Sequence, residues 1–259
     1  MKLSTLRMGP GPTPTVLVHG FLGSGKNLRT LAQRWSERDP SRVFLLPDLP
    51  GHGTSPPVDE KADLRAMARD VIETARAEGL QGPLQIVGHS LGGRVGLAAT
   101  LAAPEEVASV VLLDITPSPV RPDTSESGRV LQVLRAAPAT APDRRQMRAA
   151  LVERGLESML ADWLMMNLTE EGGSYRWRFD REALARLHER VNAEDLWQTV
   201  ERPGAHPIRC IRGGGSIYVP AQDADRMRRA GCRVDTLEGS GHFVHVDALE
   251  PLLELLIAG

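Results

Sequence analysis

Cysteine is nearly absent: the 259 residues carry only Cys210 and Cys232. Two thiols with no C-x-x-C spacing exclude a disulfide framework, a zinc cage and a redox pair, and predict reduced side chains. Charge of either sign is not in excess, since 31 Lys plus Arg face 33 Asp plus Glu and the formal net charge is -2. No basic surface for phosphate backbones or anionic lipid follows from that balance, so neither nucleic acid nor membrane is expected as a partner. Long apolar runs are missing too, every candidate being broken by charge or glycine, and Met1–Pro10 lacks the apolar centre of a signal peptide. A cytoplasmic chain is the expectation. What is present is the balance of a folded globule, 41% hydrophobic and 25% charged residues. At about 150 residues per domain the length predicts one large domain or one domain with an insertion.

Short apolar runs alternate with helical stripes. Thr15–His19 and Val43–Leu46 read as strands buried on both faces, with Leu28, Leu31, Ala32 and Trp35 on one helical face between them. The unit repeats with the stripe Leu64, Met67, Ala68, Val71, Ile72 and Ala75, the strand Leu84–Val87, a helix from Leu91 stopped at Pro104, and the strand Val107–Leu113. From Pro117 to Pro207 no convincing strand appears, only helical stripes and a Pro/Ser/Thr-rich loop around 117–127. Alternation resumes with Ile208–Ile211, a helix over Pro220–Ala230, the strand Arg233–Leu237 and a final helix over Leu249–Ile257. The predicted fold class is α/β: a doubly wound, mostly parallel sheet built from residues 1–116 and 207–259, interrupted by a helical cap over 117–206.

The most informative segment is Gly88-His89-Ser90-Leu91-Gly92, a G-x-S-x-G standing where a strand ends and a helix begins. A serine on so tight a turn needs glycine two residues to either side, so that strand and helix can approach and lift the hydroxyl clear of the sheet. Ser90 reads as a nucleophile; the bland alternative, a chance match in a chain of 25 glycines, lacks that strand-to-helix context. A hydroxyl requires a base, and chain order points to His242, in Gly239-Ser240-Gly241-His242 just after the last strand. His245 reads as packing, and His89 as lining the turn.

Val18-His19-Gly20-Phe21, Asp48-Leu49-Pro50-Gly51-His52-Gly53-Thr54-Ser55, the elbow at Ser90 and Gly241-His242 match the α/β-hydrolases in order and spacing, and the chain resembles that superfamily over nearly its whole length. Leu113–Pro117, the segment from Asn167-Leu168 to Trp177-Arg178, and Arg212-Gly213-Gly214-Gly215-Ser216 most resemble the short-chain acyl esterases related to the eleventh abhydrolase-domain protein. The resemblance implies an oxyanion hole from the backbone N–H groups of Phe21 and Leu91, an acyl-enzyme on Ser90, a small ester or thioester substrate, and neither metal nor organic cofactor.

The acid departs from the commonest pattern, because the slot after Ile208–Ile211 reads Gly213-Gly214-Gly215-Ser216 and holds no carboxylate. Asp114, at the carboxyl end of the strand after the elbow helix, is the favoured substitute, since some members of the fold take their acid there. Asp223 and Asp225 are the alternatives, and Ser216 a candidate auxiliary bonded to the imidazole. Asp48 reads as structural, an acceptor for the Gly51–Gly53 turn. The run Gly20–Asn27 imitates a phosphate loop but ends on Asn27, which lacks the hydroxyl that would hold a magnesium ion. Phe21, Trp163, Met166 and Trp177 are the candidate pocket walls. Trp163, Met165, Met166, Trp177, Phe179 and Trp197 form either a lid over an apolar cleft or the insertion's own core. The same fold and triad also serve carbon–carbon bond hydrolysis, elimination and cofactor-free peroxidation, and a non-catalytic binding module is a third reading. If His242 is the base, activity falls as pH drops through about 6.5.

Overall fold

The computed structural model describes residues 1–121, 125–202 and 204–258; Pro122, Asp123 and Thr124 of the Pro/Ser/Thr-rich stretch lie outside the described residues. In chain order the first half comprises β1 (Thr5–Met8), β2 (Thr13–Val18), α1 (Arg29–Arg38), β3 (Arg42–Pro47), α2 (Leu64–Ala77), β4 (Leu84–His89), α3 (Leu91–Ala102) and β5 (Val107–Leu113). An inserted segment follows, with α4 (Glu126–Ala136), β6 (Thr140–Ala141), α5 (Arg144–Glu153), α6 (Ser158–Leu164), β7 (Leu168–Glu171), β8 (Ser174–Trp177), α7 (Arg181–Ala193) and α8 (Gln198–Glu201). The chain closes with β9 (Ile208–Gly213), α9 (Ala221–Arg229), β10 (Arg233–Leu237), α10 (Val244–Asp247) and α11 (Leu249–Ile257).

Seven strands form one sheet in the order β1-β3-β2-β4-β5-β9-β10. Only β1, pairing with β3, runs antiparallel; the other neighbours are parallel, with Val16 opposite Ile86, Val87 opposite Val111 and Leu112 opposite Cys210. Strand side chains point alternately to the two faces. Val16, Val18, Leu45 and Ile86 therefore join α2 and α3 in one apolar cluster, while Leu17, Phe44, Leu46 and Val87 join α1 and α11 in another. The α2 stripe anticipated from spacing is buried, and Asp63 caps that helix by accepting the Ala66 N–H at 2.7 Å. From β2 the chain winds outward to β3, then crosses back over β2 to β4. That reversal opens a crevice at the carboxyl ends of β2 and β4, where ligands gather in open α/β sheets.

Two features depart from the sequence expectation. The edge strand β1 was not anticipated, being four residues long and half exposed. Nor is the inserted segment purely helical: β6, β8 and β7 form a small antiparallel sheet, with Leu168 opposite Trp177 and Glu171 opposite Ser174. Gly172 and Gly173, at φ 60° and 77°, turn that hairpin in the left-handed region that glycine enters without steric cost.

The insertion is tied to the elbow helix by Arg94, which is fully buried. Its guanidinium donates to the carbonyls of Val191 (3.2 Å), Thr116 (3.3 Å), Ser118 (2.8 Å) and Glu194. Burial pushes its pKa down to about 10, still far above neutral, so the ion is held by carbonyl dipoles. Cys210 and Cys232 are free, buried thiols, both pushed up by burial, Cys232 to about 11. Among the described residues no helix is long and apolar enough to cross a membrane.

Candidate active site

Ser90 occupies a backbone conformation, φ 51° and ψ -117°, that L-residues rarely adopt. Strain of that kind costs of order 1–3 kcal/mol and persists only where the surroundings enforce it. They do so here through glycine. A Cβ on Gly88 would overlap the backbone of Gly92 and Gly93, and one on Gly92 would overlap the Val18 carbonyl. The N–H groups of Gly93 and Arg94 donate back to the Ser90 carbonyl (2.9 and 3.3 Å), closing the first turn of α3.

Asp114 follows β5, is fully buried and sits at φ 55°. Its Oδ1 accepts the Gly213 N–H at 2.9 Å, and its Oδ2 accepts both the Ser216 hydroxyl and His242 Nδ1, the latter at 2.7 Å. With Nδ1 donating to the carboxylate, the neutral imidazole of His242 carries its free lone pair on Nε2. Two further contacts hold this ring. His89 Nε2 donates to the His242 carbonyl at 2.9 Å, joining the elbow to the loop after β10. The Tyr218 ring stacks on the imidazole with centroids 3.8 Å apart and planes 21° apart.

The alternative acids lie elsewhere. Asp223, at the first turn of α9, accepts the Thr116 hydroxyl at 2.8 Å, and Asp225 pairs with Arg228 on the surface at 2.8 Å. Neither makes a contact with His242. Ser216 is auxiliary to the carboxylate and not to the imidazole as anticipated. Gly214 and Gly215 bond back to Leu237 and Ser240, and this folded loop delivers the hydroxyl to Asp114 Oδ2, where a charged acceptor makes the stronger bond.

Beside Ser90 the loop after β2 runs close: a Cβ on Gly20 would lie 3.3 Å from Ser90 Cβ. The backbone N–H groups of Phe21 and Leu91 find no acceptor among the described residues. Two free amides flanking a serine are available to an oxyanion. Asp48 accepts N–H bonds from Gly25 and Thr54, both at 2.8 Å, and Asn27 Oδ1 accepts the Ser24 N–H at 2.6 Å, so that side chain is occupied within the loop.

Ser90 and His242 line one cavity of about 120 Å³, together with Phe21, Leu160, Trp163 and Phe243. Of the four expected pocket walls, Phe21 and Trp163 face this space. Met166 is 55% exposed to solvent, and Trp177 is buried inside the insertion, where its Nε1 donates to the Pro138 carbonyl at 3.1 Å. Trp177 thus packs the small sheet, and Met166 lies in the turn just after α6, facing solvent.

Five histidines besides His242 are buried without a carboxylate partner, and burial pushes each down: His19, His188 and His245 to about 4, His52 to about 3, and His89 well below its ordinary value. His19 is held as a spacer, donating from Nδ1 to the Gly20 carbonyl (2.7 Å) and accepting the Leu49 N–H on Nε2 (2.9 Å). Tyr218, Arg94 and His188 were not singled out from sequence, and Asn167 only as part of the segment that resembles the acyl esterases. Asn167 Nδ2 donates to the Leu22 carbonyl at 3.0 Å, and the His188 ring lies 4.5 Å from Phe21, so both bring the insertion against the loop after β2.

With this geometry in place, comparison with known proteins assigns the class. Residues 15–255 match the alpha/beta hydrolase family, and the chain belongs to that family. It is similar to the sn-1-specific diacylglycerol lipase ABHD11 of Mus musculus, 28% identical over 246 residues that cover 92% of this chain and 78% of that one. It is also similar to the esterase YbfF of Escherichia coli, 27% identical over 247 residues, 94% of this chain and 91% of the other. A solved marine microorganism esterase has the same fold, with a TM-score of 0.87 at 22% identity over 99% and 98% of the two chains.

Proposed function

We propose that the chain is a serine hydrolase of small carboxylic esters or thioesters, and that the inserted segment, residues 117–206, caps its cleft. The observation that carries the reading is the His242–Asp114 contact at 2.7 Å on the rim of the cavity that Ser90 lines. The names of the relatives, an esterase and a lipase, support the same reaction class. His242 Nε2 takes the Ser90 proton as Oγ attacks the acyl carbon, and Asp114 holds the imidazole tautomer and balances the positive charge that forms. The Phe21 and Leu91 amides receive the developing oxyanion, each such donor being worth about 10² to 10³ in rate. His242 then returns the proton to the leaving oxygen or sulfur, and the acyl-enzyme is released by water through the same two groups.

Phe21, Leu160, Trp163 and Phe243 supply apolar walls that suit the acyl group of an ester. The test is labelling with a fluorophosphonate and turnover of p-nitrophenyl acetate, in wild type and Ser90→Ala. An adduct at Ser90 with turnover only in the wild type is the expected result. Equal turnover by the alanine variant overturns the assignment of the nucleophile.

A further inference from the structure

We propose that Tyr218 is a positioning residue for the base: its ring covers one face of the His242 imidazole, its hydroxyl is tethered to the inserted segment, and together they fix the plane of the ring and favour its protonated form during turnover. The proposal rests on the roles given above to Ser90, His242 and Asp114.

A single Nδ1 to Oδ2 hydrogen bond fixes the imidazole along one line but leaves it free to rock about that line. The flat ring of Tyr218, 3.8 Å away by centroid and tilted by only 21°, blocks this motion from one side. The His89 ring stands at 4.6 Å and the Phe243 ring, edge-on, at 5.4 Å. Tyr218 is itself held at both ends. Its backbone N–H donates to Ser216 Oγ (3.2 Å), the hydroxyl that donates in turn to Asp114 Oδ2. Its phenolic oxygen accepts the Ser127 N–H (3.1 Å) from the first turn of α4. The base is thereby connected to the insertion through one buried side chain.

The contact has an electrostatic consequence as well. A cation over an aromatic face is stabilised to an extent equivalent to about a 2- to 30-fold preference for the protonated ring. The titratable and charged groups around His242 are Asp114 after β5, His89 on β4, His245 on α10, and Glu126, Arg129 and Glu157, which share with His242 the groove beside Tyr218. Burial pushes His89 and His245 down, and the stacked ring adds to the effect of Asp114 through a separate contact of the imidazole, beside Glu126 and Glu157 of the shared groove.

The experiment compares pH profiles of kcat/KM for p-nitrophenyl acetate in wild type, Tyr218→Leu and Tyr218→Phe, with Tyr218→Met as a second ring-free variant should the leucine variant not fold. Loss of the aromatic face lowers kcat about 2- to 30-fold and moves the acid midpoint of the profile down by about 0.3 to 1.5 pH units; because Tyr218 also lines the cavity, KM changes too, and the midpoint is the readout that a mere loss of pocket wall would not move. Tyr218→Phe keeps the ring and keeps the midpoint within about 0.2 unit of wild type. A ring-free variant whose midpoint coincides with wild type overturns the proposal, and so does a phenylalanine variant that shifts as far as the leucine one. Fluorophosphonate labelling separates the two levels of argument: an unlabelled Ser90 in the wild type removes the underlying reading, whereas normal labelling with an unmoved midpoint removes only the role of Tyr218.

Discussion

Acidification from pH 7 to pH 5 is predicted to remove most of the stability of this fold. His19, His52, His89, His188 and His245 are buried, and desolvation pushes them down: His19, His188 and His245 to about 4, His52 to about 3, and His89 well below its ordinary value. In the unfolded chain each titrates near 6.5. Below that value the unfolded state binds protons that the folded state refuses, so stability is complete above about pH 7 and falls as pH drops towards 4. Each group contributes about 2 kcal/mol over the interval from pH 7 to 5, and five together are of order 5–10 kcal/mol. That is comparable with the whole unfolding free energy of an ordinary domain, about 5–15 kcal/mol. Urea unfolding followed by the fluorescence of the four tryptophans, at half-unit steps of pH, measures the slope directly. Several protons should be taken up per molecule unfolded near pH 5.5, and His188→Gln should lower the slope by about 1.4 kcal/mol per pH unit, the equivalent of one proton. A wild-type slope below that of a single proton refutes the reasoning, because it would mean that these rings are solvated or paired in the folded protein.

Three further predictions concern the site and its supports. Asp114→Asn should reduce kcat by about 10⁴ in an aryl-ester assay, since the amide can hold the imidazole in the wrong tautomer; a loss under tenfold would remove Asp114 from the triad. Arg94→Met leaves the carbonyls of Thr116, Ser118, Val191 and Glu194 without their donor, and a destabilisation of about 3–5 kcal/mol in urea is expected, with fluorophosphonate labelling retained in the fraction that stays folded. Gly92→Ala places a methyl carbon inside the Val18 carbonyl, so the variant should be insoluble or lose more than about 4 kcal/mol; a stable alanine variant would show that α3 can withdraw from β2.

The parallel sheet was legible in the sequence because strands buried on both faces leave continuous apolar runs, as Val107–Leu113 does, and because the intervening helices bury one stripe each. The same logic failed in the insertion. Leu168–Glu171 and Ser174–Trp177 bury one residue each and leave the rest exposed or half-buried, so they carry no apolar run; the signal on offer was Gly172-Gly173 between two four-residue segments. At the candidate site, the glycines around Ser90 and His242 drew attention to both residues, and both line one cavity. Tyr218 and Arg94 were not legible, because a tyrosine in a loop and an arginine in a helix read as surface residues until the fold brings an imidazole or four carbonyls against them. Met166 and Trp177 failed as pocket walls for a similar reason: helical spacing shows that a face is apolar but not which neighbour it meets.

The His89 to His242 carbonyl bond has a consequence for how the enzyme tolerates motion. His89, immediately before Ser90, holds the main chain at His242, so displacement of the turn after β4 is transmitted to the loop after β10. The same loop is joined to the inserted segment through Tyr218, which stacks on His242 and accepts the Ser127 N–H, so motion of that segment reaches this pair as well.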